Sequence, residues 1–396
     1  MAPHYSIITQ KAKKLLMRPV RYYLKDRALN TLVTYGGIKA VVLLGALIAA
    51  FIATAIHQLP ALPSFPYSLT NWDGSWYTNI AYSGYAYNYP YSAAFPPMYP
   101  FLIKVASFNQ LTLIPWVAII LSNAFSFVAL YFLYQLAPLV VGKKYRLRTC
   151  FAYMVFPVLI VCGLVAYSET IFLAFTIGAY YFWKRSKFGF ATLLALGSVF
   201  TRQVGALILV VFAVDALYAY WSRRDAKLAY RQLIVIGVTC ASVAALYLFY
   251  YVVFGNALIL AHVEATNWGN ALSPANVFYV IGLSLAGIDV RPIAASAIPS
   301  PVPLIILGAI VVVFAAICLR RRDVALSIYS LFSVTLFLSM SARQSFVRYV
   351  AAIFPIYLFF GLLLSSNWKK NLFVGVLAVA IAVQNMYIWL SGAWLY

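Results

Sequence analysis

The stretch NWDGSWYTNIAYSGYAYNYPYSAAFPPMYP, residues 71–100, lies between two long apolar runs and is the densest aromatic part of the chain. The run before it covers about residues 37–58, and the run after it covers about residues 112–141. Each run is long enough to cross a bilayer as a helix. Asp73, within this stretch, is one of only eight acidic residues in the chain. A carboxylate placed just outside a membrane span indicates a functional role.

The composition is that of a membrane protein. Of 396 residues, 64% are hydrophobic and 9% are charged, and the mean hydropathy is +0.89. A soluble domain is roughly half apolar and a quarter charged, so a soluble fold is excluded. The sequence predicts an all-α polytopic membrane protein.

Further apolar runs predict about 11 transmembrane helices in total. Single spans are expected at about residues 233–256, 303–319, 324–340, 347–366 and 371–390. Residues 149–183 and 188–221 are each too long for one helix and have polar breaks, at Tyr167-Ser168-Glu169 and Thr201-Arg202-Gln203, so each is read as two spans. We expect a basic cytoplasmic or interfacial segment over residues 1–36 and one transmembrane domain over residues 37–396, whose first outer loop is residues 59–111.

The charge pattern predicts the orientation. The formal net charge is +21, and on the eleven-span scheme all basic residues, Lys39 included, fall on the cytoplasmic side except Lys104, Arg202, Arg291, Arg343 and Arg348. The N-terminus is therefore predicted to be cytoplasmic. Because membrane topology accounts for the basic clusters, nucleic-acid binding is not expected.

The acidic residues divide between the two sides. The inner set, Asp26, Asp215, Asp225 and Asp323, lies close to basic residues. The outer set is Asp73, Glu169, Glu264 and Asp289. Ionisable groups at membrane depth are costly and usually functional. Their gathering with the five outer cations predicts an extracytoplasmic site.

The first outer loop has its own helical signal. Trp72, Trp76 and Ile80 recur at i, i+4 and i+8, which predicts a short interfacial helix with a lipid-facing aromatic stripe and Asp73 off that stripe. An alternative is that Asp73 only caps this helix. The run from Phe95 to Pro100 contains three prolines and predicts a rigid turn rather than a helix.

Several short segments carry a resemblance to a known family. Trp72-Asp73-Gly74, Ile80-Ala81, Gly84-Tyr85 and the run Phe95 to Pro100 resemble the PIG-V mannosyltransferase family of GT-C membrane glycosyltransferases. Tyr167-Ser168-Glu169, Thr201 to Gly205, and Ser341 to Pro355 match three further segments in the same order. One departure is the loop from Tyr85 to Phe95, which has no acidic residue where relatives often carry a second carboxylate.

The resemblance implies a GT-C-type fold and an inverting transfer of mannose from a polyprenyl- or dolichyl-phosphate donor to a lipid-linked or glycan acceptor. The chemistry needs a carboxylate to take the acceptor proton and cations to hold the leaving phosphate. We expect Asp73 to be the general base, and Arg202, Arg343 and Arg348 to bind the donor phosphate. The alternative for each arginine is a buried ion pair with Glu169, Glu264 or Asp289.

Other side chains are candidates for substrate contact. Aromatic rings offer flat faces to sugars, and polar groups beside them can orient a substrate. The substrate-binding candidates are Trp72, Trp76, Tyr77, Tyr99, Tyr167, Glu169, His262 and Glu264. For Glu169 a structural role, as a helix cap or a partner of Arg202, is the alternative.

No cofactor is expected beyond the donor substrate, and the sequence predicts no metal site. The expected partners are membrane lipid, the donor and the acceptor. Two enzyme readings stay open, since another polyprenyl-phosphate sugar could be the donor. A transporter or flippase for lipid-linked saccharides, and a non-catalytic subunit, are the competing non-enzyme classes. The acceptor and the oligomeric state are left open.

Overall fold

The computed structural model describes residues 27–56, 65–221, 224–268, 273, 312–318, 323–339 and 345–392. These residues form helices joined by short turns, with no strand among them. We number the helices in chain order: α1 Arg27–Ala55, α2 Asp73–Ser83, α3 Met98–Ala106, α4 Ile114–Val140, α5 Arg146–Met154, α6 Pro157–Cys162, α7 Glu169–Lys184, α8 Phe188–Thr201, α9 Ile208–Trp221, α10 Ala226–Phe254, α11 Ile259–Thr266, α12 Val324–Leu338, α13 Phe346–Ala351, α14 Pro355–Leu363 and α15 Trp368–Leu390.

Within the described ranges, five helical stretches are long and apolar enough to cross a membrane. They are α1, α4, α10, α15 and the stretch Gln203–Trp221 that contains α9. Each overlaps an apolar run that the sequence predicts as a span. The all-α membrane character is therefore confirmed, whereas the number of about 11 spans stays a prediction.

Both predicted breaks inside the long apolar regions are confirmed. The chain leaves helical geometry between α6 and α7, and α7 begins at Glu169. Arg202 is extended, with φ −150° and ψ 137°, between α8 and a short 3₁₀ helix at Gln203–Leu207. Each break therefore places a charged residue at a helix end.

The predicted span at residues 347–366 differs from the structure. In the structure this segment forms two helices, α13 and α14. Helix α13 ends at Ala351, and α14 begins at Pro355 after the non-helical residues 352–354. Proline cannot donate a backbone hydrogen bond, and it disfavours helical geometry in the residue before it. Proline is favourable in the first turn of a helix, which is where Pro355 lies.

Helix α1 begins at Arg27, ahead of the apolar run that predicted it. Lys39, which the charge pattern assigns to the cytoplasmic set, is 4% exposed on this helix. Its ammonium donates to Asn123 Oδ1 at 2.7 Å, Ser126 Oγ at 2.8 Å and the Gly163 carbonyl at 2.8 Å. Lys39 therefore ties α1 to α4 and to the end of α6. The division at residue 36 stays a prediction, because residues 1–26 lie outside the described part.

Helix α7 forms the centre of the packed structure. It lies against α4 and α8, while α15 packs on α1 and α6, and α14 packs on α5. Most of its side chains are buried, among them Glu169 at its first position. At its other end, Lys184 lies 3.4 Å from Asp215 and 3.3 Å from Asp323, so the predicted proximity of these inner carboxylates to a basic residue is confirmed.

The first loop carries α2 and α3 with three short 3₁₀ turns, Tyr67–Leu69, Gly84–Ala86 and Tyr91–Ala94. Helix α2 matches the predicted interfacial helix in position, but the predicted lipid-facing stripe is wrong. Ile80 is 3% exposed and Trp76 stacks on Phe95, because α2 packs on α3 and α4. The i, i+4 spacing marks one face of a helix and does not say what covers it.

The proline run is a turn only in its first half. Helix α3 begins at Met98, with Pro97 before it and Pro100 in its first turn. The first turn of a helix needs no backbone donors, so proline is tolerated there. The prediction that the whole run to Pro100 is non-helical is therefore wrong.

Candidate active site

Four of the predicted outer charges come together in the structure. Asp73 is the first residue of α2, Glu169 is the first residue of α7, Arg202 is the extended residue after α8, and Arg348 lies in α13. Helix ends and a short helix therefore present all four side chains to one place. We call these residues the charged cluster.

The charged cluster is an alternating chain of carboxylates and guanidiniums. Arg348 Nη1 donates to Asp73 Oδ2 at 2.7 Å, and Arg348 Nε lies 3.1 Å from Glu169 Oε1. Arg202 Nη1 donates to the same Glu169 oxygen at 2.6 Å. The alternative of an ion pair with Glu169 is thus realised for both arginines, and the two positive charges balance the two negative ones.

Burial differs along this chain of charges. The side chains of Glu169 and Arg348 are 1% and 5% exposed, whereas those of Asp73 and Arg202 are 17% and 16% exposed. Buried charges are tolerated when they are paired and hydrogen-bonded. The two inner members therefore hold the cluster together, and the two outer members are the ones that a substrate can reach.

Asp73 is not the cap of its helix. The N-cap residue is Trp72, and its side chain makes no capping hydrogen bond. Trp72 has φ 56° and ψ −124°, and a positive φ is rare for a bulky residue. Directly after Asp73, a Cβ on Gly74 would lie 3.2 Å from the Ala166 carbonyl oxygen, so small size at this position lets α2 approach the turn before α7.

Tyr77 and Ser168 form hydrogen bonds next to the charged cluster. The Tyr77 hydroxyl lies 2.9 Å from Ser168 Oγ, and Arg202 Nη1 donates to the same serine at 3.4 Å. Burial raises the pKa of Tyr77 well above its usual value, so its phenol stays protonated. A protonated phenol can donate to Ser168, which fixes the start of α7.

Tyr99 and Tyr167, two further predicted site residues, are both buried. Tyr99 is 0% exposed and donates to the Ala118 carbonyl at 2.8 Å. Tyr167 is 2% exposed, and the Arg348 guanidinium carbon lies 4.9 Å from the centre of its ring. Tyr167 therefore makes a cation–π contact with Arg348, whereas Tyr99 packs against Tyr77, with ring centres 4.8 Å apart.

His262 and Glu264 lie on α11, a helix, so residues two apart do not share a face. His262 is exposed and Glu264 is half-buried. Arg343 and Asp289 fall outside the described residues. In the described ranges, no three His, Cys, Asp or Glu side chains are close enough to hold a metal ion.

Some residues of the site were not singled out from the sequence. Ser168 and Tyr349 lie next to predicted residues, and the ring of Tyr349 has Arg202 at 5.7 Å and Arg348 at 5.8 Å. Ser345 Oγ accepts from Arg348 Nη2 at 3.2 Å. Trp268 packs edge-on to Trp76 with ring centres 5.7 Å apart. The segments that carry the resemblance contain Ser168, Ser345 and Tyr349, but no pattern in the sequence indicated Trp268.

Comparison with known proteins bears on the fold of the chain. No protein-family model and no curated protein sequence matches the chain. Solved structures do match, and at 14–15% identity they show a likeness of fold alone. The chain thus shares the fold of these structures over most of its length.

Three of the matching structures are crystal structures of the Archaeoglobus fulgidus oligosaccharyltransferase. The complex with Zn and sulfate has a TM-score of 0.52 at 15% identity, covering 92% of this chain and 53% of that one. The form tethered to an acceptor peptide with the NVT sequon has a TM-score of 0.50 at 15% identity, covering 94% and 55%. The apo form has a TM-score of 0.50 at 14% identity, and the match covers 94% of this chain and 57% of that one. The chain therefore spans little more than half the length of these structures, and the likeness shows the fold alone.

Proposed function

We propose that this protein is an inverting GT-C glycosyltransferase that moves mannose from a polyprenyl-phosphate donor to a lipid-linked or glycan acceptor. The observation that carries the proposal is the pairing of Asp73 with Arg348 in a charged cluster at the base of the aromatic loop. A GT-C-type fold supports the reaction class. The choice of mannose rests on the resemblance to the PIG-V family, and the extracytoplasmic position rests on the charge pattern.

Asp73 is the proposed general base. Among the described residues its hydrogen bond uses Oδ2, with Arg348 as the donor, and the carboxylate is partly exposed. Oδ1 is therefore the oxygen that would accept the proton of the acceptor hydroxyl. As the acceptor oxygen forms its bond to the anomeric carbon, the bond from that carbon to the phosphate oxygen breaks and polyprenyl phosphate leaves.

Arg202 is the better placed of the two described arginines for the leaving phosphate. Its guanidinium is more exposed than that of Arg348, and its bonds to Glu169 and Ser168 both use Nη1. A guanidinium has five N–H donors in a planar fork that suits phosphate oxygens. Arg348, which the sequence also predicts as a phosphate ligand, is the proposed positioning residue for Asp73, because its own side chain is 5% exposed. Arg343, five residues earlier, is proposed for the same phosphate.

The test is transfer of labelled mannose from polyprenyl-phosphate mannose to candidate lipid acceptors by the purified full chain in proteoliposomes. Asp73→Asn should lower the transfer rate about 100-fold or more, because a base contributes 10²–10⁴-fold. Asp225→Asn is the matched control, since Asp225 caps α10 by accepting from Leu228 N at 2.9 Å and asparagine caps equally well. Transfer by Asp73→Asn at the wild-type rate would remove Asp73 as the base. Activity should survive a chelator.

A further inference from the structure

Four aromatic residues of the loop region form a rigid cluster beside Asp73. Trp76 lies parallel to Phe95, with ring centres 5.1 Å apart and planes at 11°. Trp268 stands nearly perpendicular to both, at 5.7 Å and 73° from Trp76 and at 5.9 Å and 84° from Phe95. Tyr87 meets Trp76 edge-on at 5.5 Å. The rings come from α2, from the turns that follow it, and from the end of α11.

This cluster adjoins the proposed base. Asp73 and Trp76 are three residues apart on α2, so their side chains are neighbours on one helix face, about 5–6 Å apart at Cβ. Tyr77, the next residue, packs edge-on to Phe95 at 5.2 Å and reaches Ser168 at the start of α7. The aromatic cluster and the charged cluster therefore share the helix that carries Asp73.

The cluster leaves part of the indole surface uncovered by other protein atoms. Trp268 is 39% exposed and Trp76 is half-buried. On the other side of Asp73, Trp72 is 38% exposed on a backbone with φ 56°. Strained residues of this kind are found mainly at functional sites. Partly exposed indole rings beside a carboxylate suit a ligand that has both an apolar face and hydroxyl groups.

We propose that Trp76 and Trp268 form a stacking platform for a pyranose ring of the acceptor, next to Asp73. A pyranose presents an apolar C–H face to an aromatic ring and keeps its hydroxyls at the edge, where a carboxylate can receive one of them. The assignment to the acceptor rests on the proposed function, because the base contacts the acceptor hydroxyl and Trp76 lies on the same helix face as that base. Trp268 is thus a substrate-binding residue that packs at right angles to Trp76.

The test measures sugar binding directly, without donor or turnover. The full chain in detergent micelles is titrated with four probes, the methyl pyranosides of mannose, glucose, galactose and N-acetylglucosamine, by saturation-transfer NMR. At least one probe should bind the wild type, with the strongest saturation on its ring C–H protons. Trp268→Ala should weaken that probe about 2- to 12-fold, the factor expected for one aromatic contact of about 0.5–1.5 kcal/mol.

Two variants separate binding from folding. Trp268→Phe keeps a flat ring and should retain most of the affinity. Trp221→Ala, at an indole that is 71% exposed at the end of α9, should bind as the wild type does. If none of the four probes binds the wild type, or if Trp268→Ala binds as tightly as Trp221→Ala, the platform is disproved.

A competition experiment separates the two substrates. Saturating polyprenyl-phosphate mannose should leave the glycoside signal in place, and displacement of the glycoside by this donor would overturn the acceptor assignment. The binding result is also independent of the proposed reaction. Sugar binding can be absent in a protein whose mannose transfer is abolished by Asp73→Asn. Sugar binding can also be present in a protein that transfers no mannose.

Discussion

Glu169 and Arg348 are the two buried members of the charged cluster, and their coupling can be measured with a double-mutant cycle. The perturbations are Glu169→Gln, Arg348→Met and the two together. The wild-type cluster has two positive and two negative charges. Each single change leaves one uncompensated charge, whereas the double variant is balanced again by Arg202 and Asp73. The two changes should therefore cost less together than the sum of their separate effects.

The magnitude follows from the geometry. Removing one partner of a buried pair costs about 3–5 kcal/mol, so each single variant should lose about that much free energy of unfolding. At the 3.1 Å between Arg348 Nε and Glu169 Oε1, an effective dielectric constant of about 20 gives an attraction of roughly 5 kcal/mol. Since each residue keeps its other partner in the single variants, we expect a coupling energy of about half that value, roughly 2–3 kcal/mol.

The assay is denaturant unfolding of the purified full chain in detergent micelles, followed by tryptophan fluorescence. The control cycle combines Glu169→Gln with Lys184→Met at the other end of α7, about 22 Å away at 1.5 Å per residue. Lys184 has its own partners, Asp215 and Asp323, so this pair should be additive within about 0.5 kcal/mol. If the effects of Glu169→Gln and Arg348→Met on the free energy of unfolding also add within about 0.5 kcal/mol, the two residues are not coupled and the reasoning is refuted.

Two further predictions concern close packing and a buried cation. Gly205→Ala should destabilise by about 3 kcal/mol, because a Cβ there would overlap the backbone carbonyl of Ser198; Gly237→Ala, in α10 with no atom within 4 Å of the new Cβ, should be neutral or gain up to about 1 kcal/mol. Equal unfolding midpoints for the two alanine variants would contradict this. Lys39→Met should lose about 3 kcal/mol or more, since it leaves Asn123, Ser126 and the Gly163 carbonyl without their shared donor. Wild-type stability of Lys39→Met in the same unfolding assay would show that these bonds contribute little.

Much of the site could be predicted because charged residues are rare in this chain. The polar breaks at Glu169 and Arg202 interrupt apolar regions, and the structure confirms both as helix ends. The Glu169–Arg202 pair was available as an alternative, since a buried carboxylate needs a partner. The charge pattern and the resemblance both predict Arg348 as a site residue, although it lies 275 residues from Asp73 in the sequence.

The rest depends on contacts between distant segments, which local patterns do not report. The stripe of Trp76 and Ile80 has the period of a helix face, but only the tertiary structure shows that α3 and α4 cover that face. Lys39 carries a charge that topology rules assign to the cytoplasm, yet three oxygen acceptors from α4 and the end of α6 satisfy it inside the bundle. Trp268 follows a short helix and becomes significant only through its packing on the rings of the first loop.

The length of α7 has a consequence for the depth of the site. This helix has 16 residues and is therefore about 24 Å long, while the hydrocarbon layer of a typical bilayer is about 30 Å thick. Ion pairs hold both of its ends, at Glu169 and at Lys184. On the topology that the charge pattern predicts, with Lys184 at the inner edge of the hydrocarbon layer, we expect Glu169 to lie several ångströms short of the outer edge and the bilayer to thin locally around it. On this topology we expect the acyl-chain length of the surrounding lipid to change how far below the headgroups Asp73 and Glu169 lie.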